Sequence, residues 1–263
     1  MITFSTCWYK IKSKFDETTY KNWMKNILTN VNNCYFVVYT DEKSKSIFDD
    51  IPYPKSNVLI VVKDLNELYN YKYRENWIEN HSKNNLLNDR TSWELNMLWS
   101  EKVSFVKNTK ETNPFNTEWF GWCDIGYFRN GPDEIKNWPD HTKIQSLDKN
   151  KIHYANVNRN PNYILYLSKL TKRRDNNNML LTEIPSNNVF IAGGFFICHT
   201  SKIDLWFKTY DDMLQKYFNY KRLVKDDQII LADLFFKNKD LFKIYNENIY
   251  TLDNWFMFKR LIK

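Results

Sequence analysis

Apolar runs alternate with an amphipathic stretch over the first 65 residues. The β-branched and aromatic segment Met1–Tyr9 predicts a strand, and the apolar residues within Thr18–Leu28 recur at the spacing of one helical face. Cys34–Thr40 and Val58–Val62 are continuous apolar runs, which are typical of strands buried on both faces. This order of strand, helix, strand, loop and strand predicts a mostly parallel sheet with helices packed against it.

The pattern is less regular in the rest of the chain. Residues 66–110 form the longest predicted helical zone, with Thr91 and Ser92 as a candidate helix N-cap. Glu118–Phe128 predicts a fourth strong strand, whereas the weakly patterned residues 158–186 predict a long loop, which is usually functional or mobile. The other predicted elements are strands over Ile152–Val157, Ile244–Tyr245 and Ile249–Leu252, and helices over Ile203–Phe218 and Asp226–Lys237. Asn188–Cys198 predicts either a pair of strands or one strand with a bend at its two glycines.

Composition narrows the class of protein. Hydrophobic residues make up 43% and aromatic residues 17% of the 263 residues, which excludes intrinsic disorder. The net charge of +7 is a mild excess for this length, and a solvated lysine-rich surface explains it better than a nucleic-acid footprint. A bias towards Asn and Lys also indicates an AT-rich genome. No Pro-, Gly- or Ser-rich linker divides the chain, so one domain over residues 1–263 is predicted.

Cysteine spacing and the absence of long apolar runs predict the compartment. Cys7, Cys34, Cys123 and Cys198 are widely spaced and form no C-x-x-C pair, which predicts buried free thiols rather than a disulfide framework or a zinc site. Such thiols suit a reducing compartment. The sequence shows no signal-peptide pattern and no run of about 20 apolar residues, so we expect a soluble, cytoplasmic protein.

Three short segments carry candidate chemistry. The apolar run 119–126 contains Asp124 where a strand is predicted to end, and a carboxylate there can bind a cation or satisfy donors in a turn. Gly193 and Gly194 interrupt an apolar run, which indicates a bulge or a close approach by a ligand. Asp226 and Asp227 precede an apolar helix, so they can cap it or supply a general base.

These segments together resemble the HtrL/YibB-like (WlaTC/HtrL) family, which is grouped with nucleotide-sugar-dependent glycosyltransferases of the GT-A type. The resemblance covers nearly the whole chain and rests on ITFSTCWY, WFGWCDIG, GGFFIC and DDQ, with Asn96, Trp99 and Lys102 on a helix and a C-terminal tryptophan segment. It implies an α/β, single-domain GT-A-like fold with a mixed, mostly parallel central sheet flanked by helices. Residues 1–130 would form the nucleotide-binding half and residues 131–263 the acceptor-side half.

The resemblance also implies roles for individual residues. Asp124 corresponds to the first acid of an Asp-x-Asp motif that holds a divalent metal (Mn²⁺ or Mg²⁺), and His199 is a candidate second ligand. Because Gly126 stands where the second acid is expected, fixed cations are the alternative means of neutralising a diphosphate. Asp227 or Asp226 would serve as the base or orient the acceptor. The residues implied for nucleotide or diphosphate binding are Thr6, Trp8, Thr40, Asp41, Lys102 and Arg129, and those implied for acceptor binding are Gly193 and Gly194.

The expected function is therefore that of a glycosyltransferase (EC 2.4 class). It would move a sugar from a nucleotide-diphosphate sugar, with UDP-sugar favoured, onto a glycan or other acceptor hydroxyl. Trp8, Trp99 and Trp122 are candidate stacking groups, although core packing is the usual role of such residues. One alternative is a nucleic-acid-binding module, since residues 172–174 are basic and lie near Tyr163 and Tyr166, but no recognition motif accompanies them. Another is a catalytically inactive member of the same fold.

Overall fold

The computed structural model describes residues 1–247 and 249–263. Its strands are β1 (Ile2–Cys7), β2 (Tyr35–Thr40), β3 (Val58–Val62), β4 (Trp119–Cys123), β5 (Ile152–Ala155), β6 (Phe195–His199) and β7 (Phe242–Tyr245). Its α-helices are α1 (Glu17–Leu28), α2 (Arg74–Ser82), α3 (Trp93–Thr112), α4 (His141–Gln145), α5 (Pro161–Leu170), α6 (Thr200–Asn219), α7 (Asp227–Lys237) and α8 (Phe258–Leu261). Short 3₁₀ turns complete the regular structure.

The strands form one mixed sheet in the order β3-β2-β1-β4-β6-β5-β7. β1, β2, β3 and β4 run parallel to one another, and β5 runs parallel to β7. β6 is antiparallel to both of its neighbours, β4 and β5. The predicted α/β fold with a mostly parallel sheet is therefore confirmed, and strands from residues 1–130 and 131–263 share this sheet.

Both faces of the sheet are covered, which explains the continuous apolar strands. In β2, Phe36 and Val38 point into one core with α1 and α8, while Val37 and Tyr39 point into the other core with α3 and α6. Successive strand side chains alternate between faces, so a strand covered on both sides needs apolar residues at every position.

The predicted helical zone 66–110 is divided in the structure. Two 3₁₀ turns, at Leu65–Glu67 and Tyr69–Tyr73, precede α2, and α3 begins only at Trp93 after an irregular stretch. Ser92 occupies the N-cap position of α3, but its side chain makes no capping hydrogen bond. α3 buries polar and charged residues as well as apolar ones, because β1, β4, α2, α6 and α7 all pack against it.

Three other predictions are corrected. Residues 158–186 were predicted as a loop, yet they contain α5, whose first turn is capped by the Asn160 side chain and starts with Pro161. An Asn-Pro start of this kind is a recognisable helix signal. Residues 249–252 form a turn rather than a strand. Strand β6 begins only at Phe195, so the glycine pair lies in the turn before it.

The cysteines match their prediction in part. Cys34, Cys123 and Cys198 are buried, Cys7 is half-buried, and all four are free thiols. Within the residues that the structure describes, no helix combines the length and the apolar character needed to cross a bilayer.

Candidate functional site

A cleft of about 420 Å³ opens at the carboxyl ends of β1 and β4. Trp8 follows β1 and Asp124 follows β4, and these parallel neighbours end at the same edge of the sheet. Because β6 runs antiparallel to β4, the turn that precedes it reaches the same edge and brings Gly193 and Gly194 beside Asp124. This edge is where open α/β sheets bind ligands.

The Lys102 ammonium lies at the floor of the cleft between two carboxylates. Its Nζ atom is 3.2 Å from Oδ1 of Asp124 and 3.3 Å from Oδ2 of Asp227, and it donates a hydrogen bond of 2.8 Å to the Gly193 carbonyl. Lys102 comes from α3 and Asp227 from the first turn of α7. The fold thus assembles this triad from residues that are far apart in sequence.

Burial and the neighbouring charges shift the pKa of Lys102 in opposite directions. Burial alone lowers the pKa of Lys102, but the charges of Asp124 and Asp227 outweigh it and raise that pKa above its ordinary value. Burial raises the pKa of Asp227 to about 6, and the nearby charges of Asp226 and Asp124 add to this effect while Lys102 opposes it. Lys102 is therefore a permanent cation, whereas Asp227 changes charge at about pH 6.

Asp124 is the more accessible of the two carboxylates. Its side chain is 43% exposed, against 8% for Asp227. The indole N–H of Trp122 donates a 2.5 Å hydrogen bond to its Oδ1 atom, and its own backbone N–H donates to the Gly194 carbonyl at 2.9 Å. Asp124 is thus held in place on one side and open to the cleft on the other.

Both glycines lie close to these carboxylates. A Cβ atom on Gly193 would lie 2.5 Å from Oδ2 of Asp227, and one on Gly194 would lie 3.0 Å from Oδ2 of Asp124. The close approach that the sequence indicates is therefore made by the protein's own side chains. Both glycines also line the cleft.

Asp226 has a structural role that the sequence already suggested. Its side chain caps α7 by accepting a 3.2 Å hydrogen bond from the Gln228 backbone N–H, and the Lys225 ammonium lies 3.0 Å from its Oδ2 atom. Asp226 also lines the cleft. Both carboxylate oxygens of Asp226 therefore have partners within the protein, whereas the polar partners of the Asp124 side chain among the described residues are both at Oδ1.

Two more cations line the cleft against aromatic rings. The Arg129 guanidinium lies 4.3 Å from the centre of the Trp23 ring and 5.0 Å from that of Phe256. The Lys14 ammonium lies 4.6 Å from the centre of the Trp99 ring. Lys14 was not identified from the sequence, because residues 10–16 have no apolar periodicity and precede α1 as irregular chain.

The C-terminal wall of the cleft was also missed. Trp255 and Phe256 line it, and they follow a turn that Arg159 holds through hydrogen bonds to the carbonyls of Tyr250 (2.7 Å) and Leu252. The C-terminal tryptophan segment is part of the family resemblance, which assigns it no place in the site. Its position depends on contacts with a residue about 90 positions earlier.

Three of the implied nucleotide-binding residues do not line the cleft. Thr6 is buried in β1, and the Thr40 hydroxyl donates a 2.8 Å hydrogen bond to the Trp8 carbonyl. The Asp41 carboxylate accepts a 2.9 Å hydrogen bond from the Ser44 backbone N–H in a turn. Thr40 therefore supports the chain at Trp8, which does line the cleft with Lys102 and Arg129.

His199 lies at the opposite end of the sheet from Asp124. It pairs with Trp119 at the start of β4, whereas Asp124 follows the end of that strand. Its Nδ1 atom is 2.9 Å from the Ser201 hydroxyl, and its ring packs edge-on against Trp119. The expectation that Asp124 and His199 bind one metal ion is corrected, since the antiparallel direction of β6 separates them.

The described residues at the cleft do not by themselves supply a full set of ligands for a divalent cation. Mg²⁺ and Mn²⁺ need several oxygen ligands, yet among residues 1–247 and 249–263 no three His, Cys, Asp or Glu side chains gather as a metal site. The Lys102 ammonium instead occupies the space between Asp124 and Asp227. The divalent ion implied by the resemblance stays a prediction, which nucleotide binding with and without Mn²⁺ tests.

Comparisons with known proteins identify the family and the fold of the chain. A family model described as "Bacterial protein of unknown function (HtrL_YibB)" matches residues 8–263. No curated protein matches the sequence. Among solved structures, the apo crystal structure of mouse xyloside xylosyltransferase 1 has a TM-score of 0.50 and 10% identity, over 92% of this chain and 85% of that chain. At this identity the likeness concerns the fold, which is GT-A-like.

Proposed function

The chain belongs to the HtrL_YibB family, and we propose that it is a glycosyltransferase that moves a sugar from a nucleotide-diphosphate sugar to an acceptor hydroxyl. The fold alone does not carry this proposal, because one fold hosts many functions. The observation that carries it is the Lys102 ammonium held between Asp124 and Asp227 at the floor of an open cleft. The cleft volume of about 420 Å³ is in the range of small-molecule sites.

The proposed reaction assigns a task to each charged group. The bond between the anomeric carbon and the diphosphate oxygen breaks, and the diphosphate leaves with the electron pair. Lys102 and Arg129 stabilise that negative charge through their positive charges. The acceptor oxygen bonds to the anomeric carbon and gives its proton to Asp227. A pKa of about 6 leaves Asp227 ionised at neutral pH and basic enough to take a proton.

Asp124 and the aromatic walls would position the donor. The Asp124 side chain is 43% exposed and Oδ2 accepts no hydrogen bond from the described residues, so Oδ2 can accept one from a hydroxyl of the donor sugar while Oδ1 stays with Trp122 and Lys102. Trp8 and Trp99 line the cleft and offer faces for a nucleobase. We infer a UDP-sugar as the donor, following the family resemblance, and a glycan or glycoconjugate as the acceptor on the side of Gly193 and Gly194.

A thermal-shift screen with UDP, GDP, CMP and dTDP tests the binding step, each with Mn²⁺ and with EDTA. A nucleotide present at a hundredfold excess over its dissociation constant stabilises the protein by about 2.7 kcal/mol, which corresponds to a rise of several degrees in Tm. With Lys102 and Arg129 as the neutralising cations, the rise should persist in EDTA. A rise that needs Mn²⁺ would overturn the assignment of fixed cations and support the metal.

Hydrolysis or transfer assays with nucleotide sugars test the chemistry. Asp124→Ala should lower turnover strongly, while Asp204→Ala, on the exposed surface of α6, is a matched control that should not. The transferase proposal fails if no nucleotide changes Tm and Asp124→Ala leaves hydrolysis unchanged. Nucleotide binding without any turnover would instead indicate an inactive member of the fold.

A further inference from the structure

Helix α5 carries an outward surface that the cleft does not use. Leu165 is 54% exposed and Tyr166 47% exposed, and Lys169 is exposed one turn further along the helix. Residues three and four positions apart share a helix face, so these three side chains form one stripe. Lys172 and Arg173 are exposed in the turn just beyond the end of the helix.

The hairpin that follows α5 adds a further apolar residue beside this stripe. Arg174 pairs with Leu180 in an isolated antiparallel bridge, and the Leu181 backbone N–H donates a 3.0 Å hydrogen bond to the Arg173 carbonyl. Leu181 is 53% exposed. The α5 surface, as we name it, consists of Leu165, Tyr166, Lys169, Lys172, Arg173 and Leu181.

The α5 surface combines exposed apolar groups with positive charge that nearby acids do not neutralise. In the described part of the chain, no ion pair involves Lys169, Lys172 or Arg173. The two acids nearest in sequence are engaged elsewhere. Asp175 accepts hydrogen bonds from the backbone of its own turn, and Glu183 pairs with Arg222 at 3.3 Å.

The inner side of α5 borders the cleft. Tyr163 and Leu167 line a narrow crevice together with Asp226 and Gln228, and Asp226 and Gln228 also line the main cleft. Helix α5 therefore contributes to a crevice that shares two lining residues with the main cleft.

We propose that the α5 surface docks on an anionic lipid bilayer. Lys169, Lys172 and Arg173 bind headgroup phosphates, while Leu165 and Leu181 enter the boundary of the acyl chains, as apolar groups on basic interfacial helices do. The two leucines favour a membrane over nucleic acid, because an exposed aliphatic side chain has no partner on a phosphate backbone. The inference does not depend on the reaction proposed for the cleft.

Vesicle sedimentation tests the charge part of the proposal. We expect the protein to bind vesicles with 30% phosphatidylglycerol and not pure phosphatidylcholine vesicles. The variant with Lys169→Ala, Lys172→Ala and Arg173→Ala should lose roughly a hundredfold in affinity, since each basic residue at an anionic surface contributes roughly fivefold. The matched control replaces three other exposed lysines of the same total charge by alanine, namely Lys43, Lys55 and Lys136. An equal loss in that control would overturn the proposal, because net charge alone would then explain binding.

A second variant separates lipid from nucleic acid. Leu165→Ser with Leu181→Ser should weaken vesicle binding at least several-fold and leave the far-UV circular dichroism spectrum and Tm unchanged. Unaltered vesicle binding would overturn the apolar contribution. Salt-sensitive binding of single-stranded RNA that the triple alanine variant abolishes, without vesicle binding by the wild type, would assign the α5 surface to nucleic acid instead.

Discussion

Asp227 and Gly193 approach each other so closely that a Cβ atom on Gly193 would lie 2.5 Å from Oδ2 of Asp227. The same Oδ2 atom lies 3.3 Å from the Lys102 ammonium, which also donates a hydrogen bond to the Gly193 carbonyl. The buried Lys102 ammonium, in the middle of α3, thereby contacts both the first turn of α7 and the turn before β6. Several expected effects of substitution depend on this contact.

Gly193→Ala should displace the Asp227 carboxylate from Lys102 and impair catalysis more than folding. Misplacing a reacting group by about 1 Å can cost roughly a hundredfold in rate, so we expect kcat to fall by at least tenfold with a change in Tm of only a few degrees. Gly121→Ala is the contrasting variant, since its Cβ would meet the Phe196 backbone oxygen at 2.3 Å inside the sheet and should prevent folding. Full activity in Gly193→Ala would contradict a catalytic position for Asp227.

Lys102→Met should destabilise the protein by leaving Asp227 buried without its counter-charge. Removing one partner of a buried pair costs about 3–5 kcal/mol, which urea unfolding at pH 7.5 can measure. The decrease in the free energy of unfolding should be smaller at pH 5, where Asp227 is protonated. Adding Asp227→Asn to the Lys102→Met variant should restore part of this free energy. Lys110→Met removes an exposed pair with Asp204 and should cost less than about 1 kcal/mol. Equal losses in the two single variants would refute this account.

Glu101 should make the protein less stable as pH rises. Its carboxylate is fully buried and accepts hydrogen bonds from the backbone N–H groups of Tyr69 (2.9 Å) and Asn70 (2.8 Å). Burial raises the pKa of Glu101 from 4.5 to about 7 despite these bonds. The folded state therefore binds more protons than the unfolded state between about pH 4.5 and 7, so the free energy of unfolding falls across that window.

The size of this effect is roughly 3 kcal/mol, since each unit of pKa shift corresponds to about 1.4 kcal/mol. Urea unfolding at half-unit steps from pH 4.5 to 7.5 would measure it. Asp227 should add a comparable fall between about pH 4 and 6, for the same reason. Glu101→Gln should remove the part of the slope above about pH 6, whereas Glu111→Gln at the exposed end of α3 should leave it. An unchanged slope in Glu101→Gln would place the titrating group elsewhere.

Asp227 should also set the lower limb of the pH profile for activity. The proposed base must be ionised to accept the proton of the acceptor, so kcat/KM should rise with pH through about 6. Asp227→Asn should lower kcat by roughly 10²–10⁴ and remove this limb. Asp226→Asn keeps an acceptor for the α7 cap and should retain the limb. A limb that persists in Asp227→Asn would rule out Asp227 as the base.

Local sequence determined many of the strands and helices, and it also determined that Asp124 follows a strand. The continuous apolar runs at Cys34–Thr40 and Val58–Val62 predict strands covered on both faces, because each side chain of such a strand must lie in a core. The polar residue after the apolar run 119–123 places Asp124 at a strand end, and the acids before α7 predict a cap that Asp226 does provide. These features depend on residues only a few positions apart in the sequence, so apolar periodicity and capping patterns can predict them.

Tertiary structure alone decided how these pieces meet. The spacing of apolar residues does not reveal strand direction, so the sequence could not show that β6 runs antiparallel, which carries His199 away from Asp124 and Gly193 towards it. Nor could it show that Lys102 is buried between carboxylates 22 and 125 positions later in the chain. Charged side chains on a helix are usually solvated, and only the packing of α3 against β4 and α7 makes this one the buried centre of the cleft.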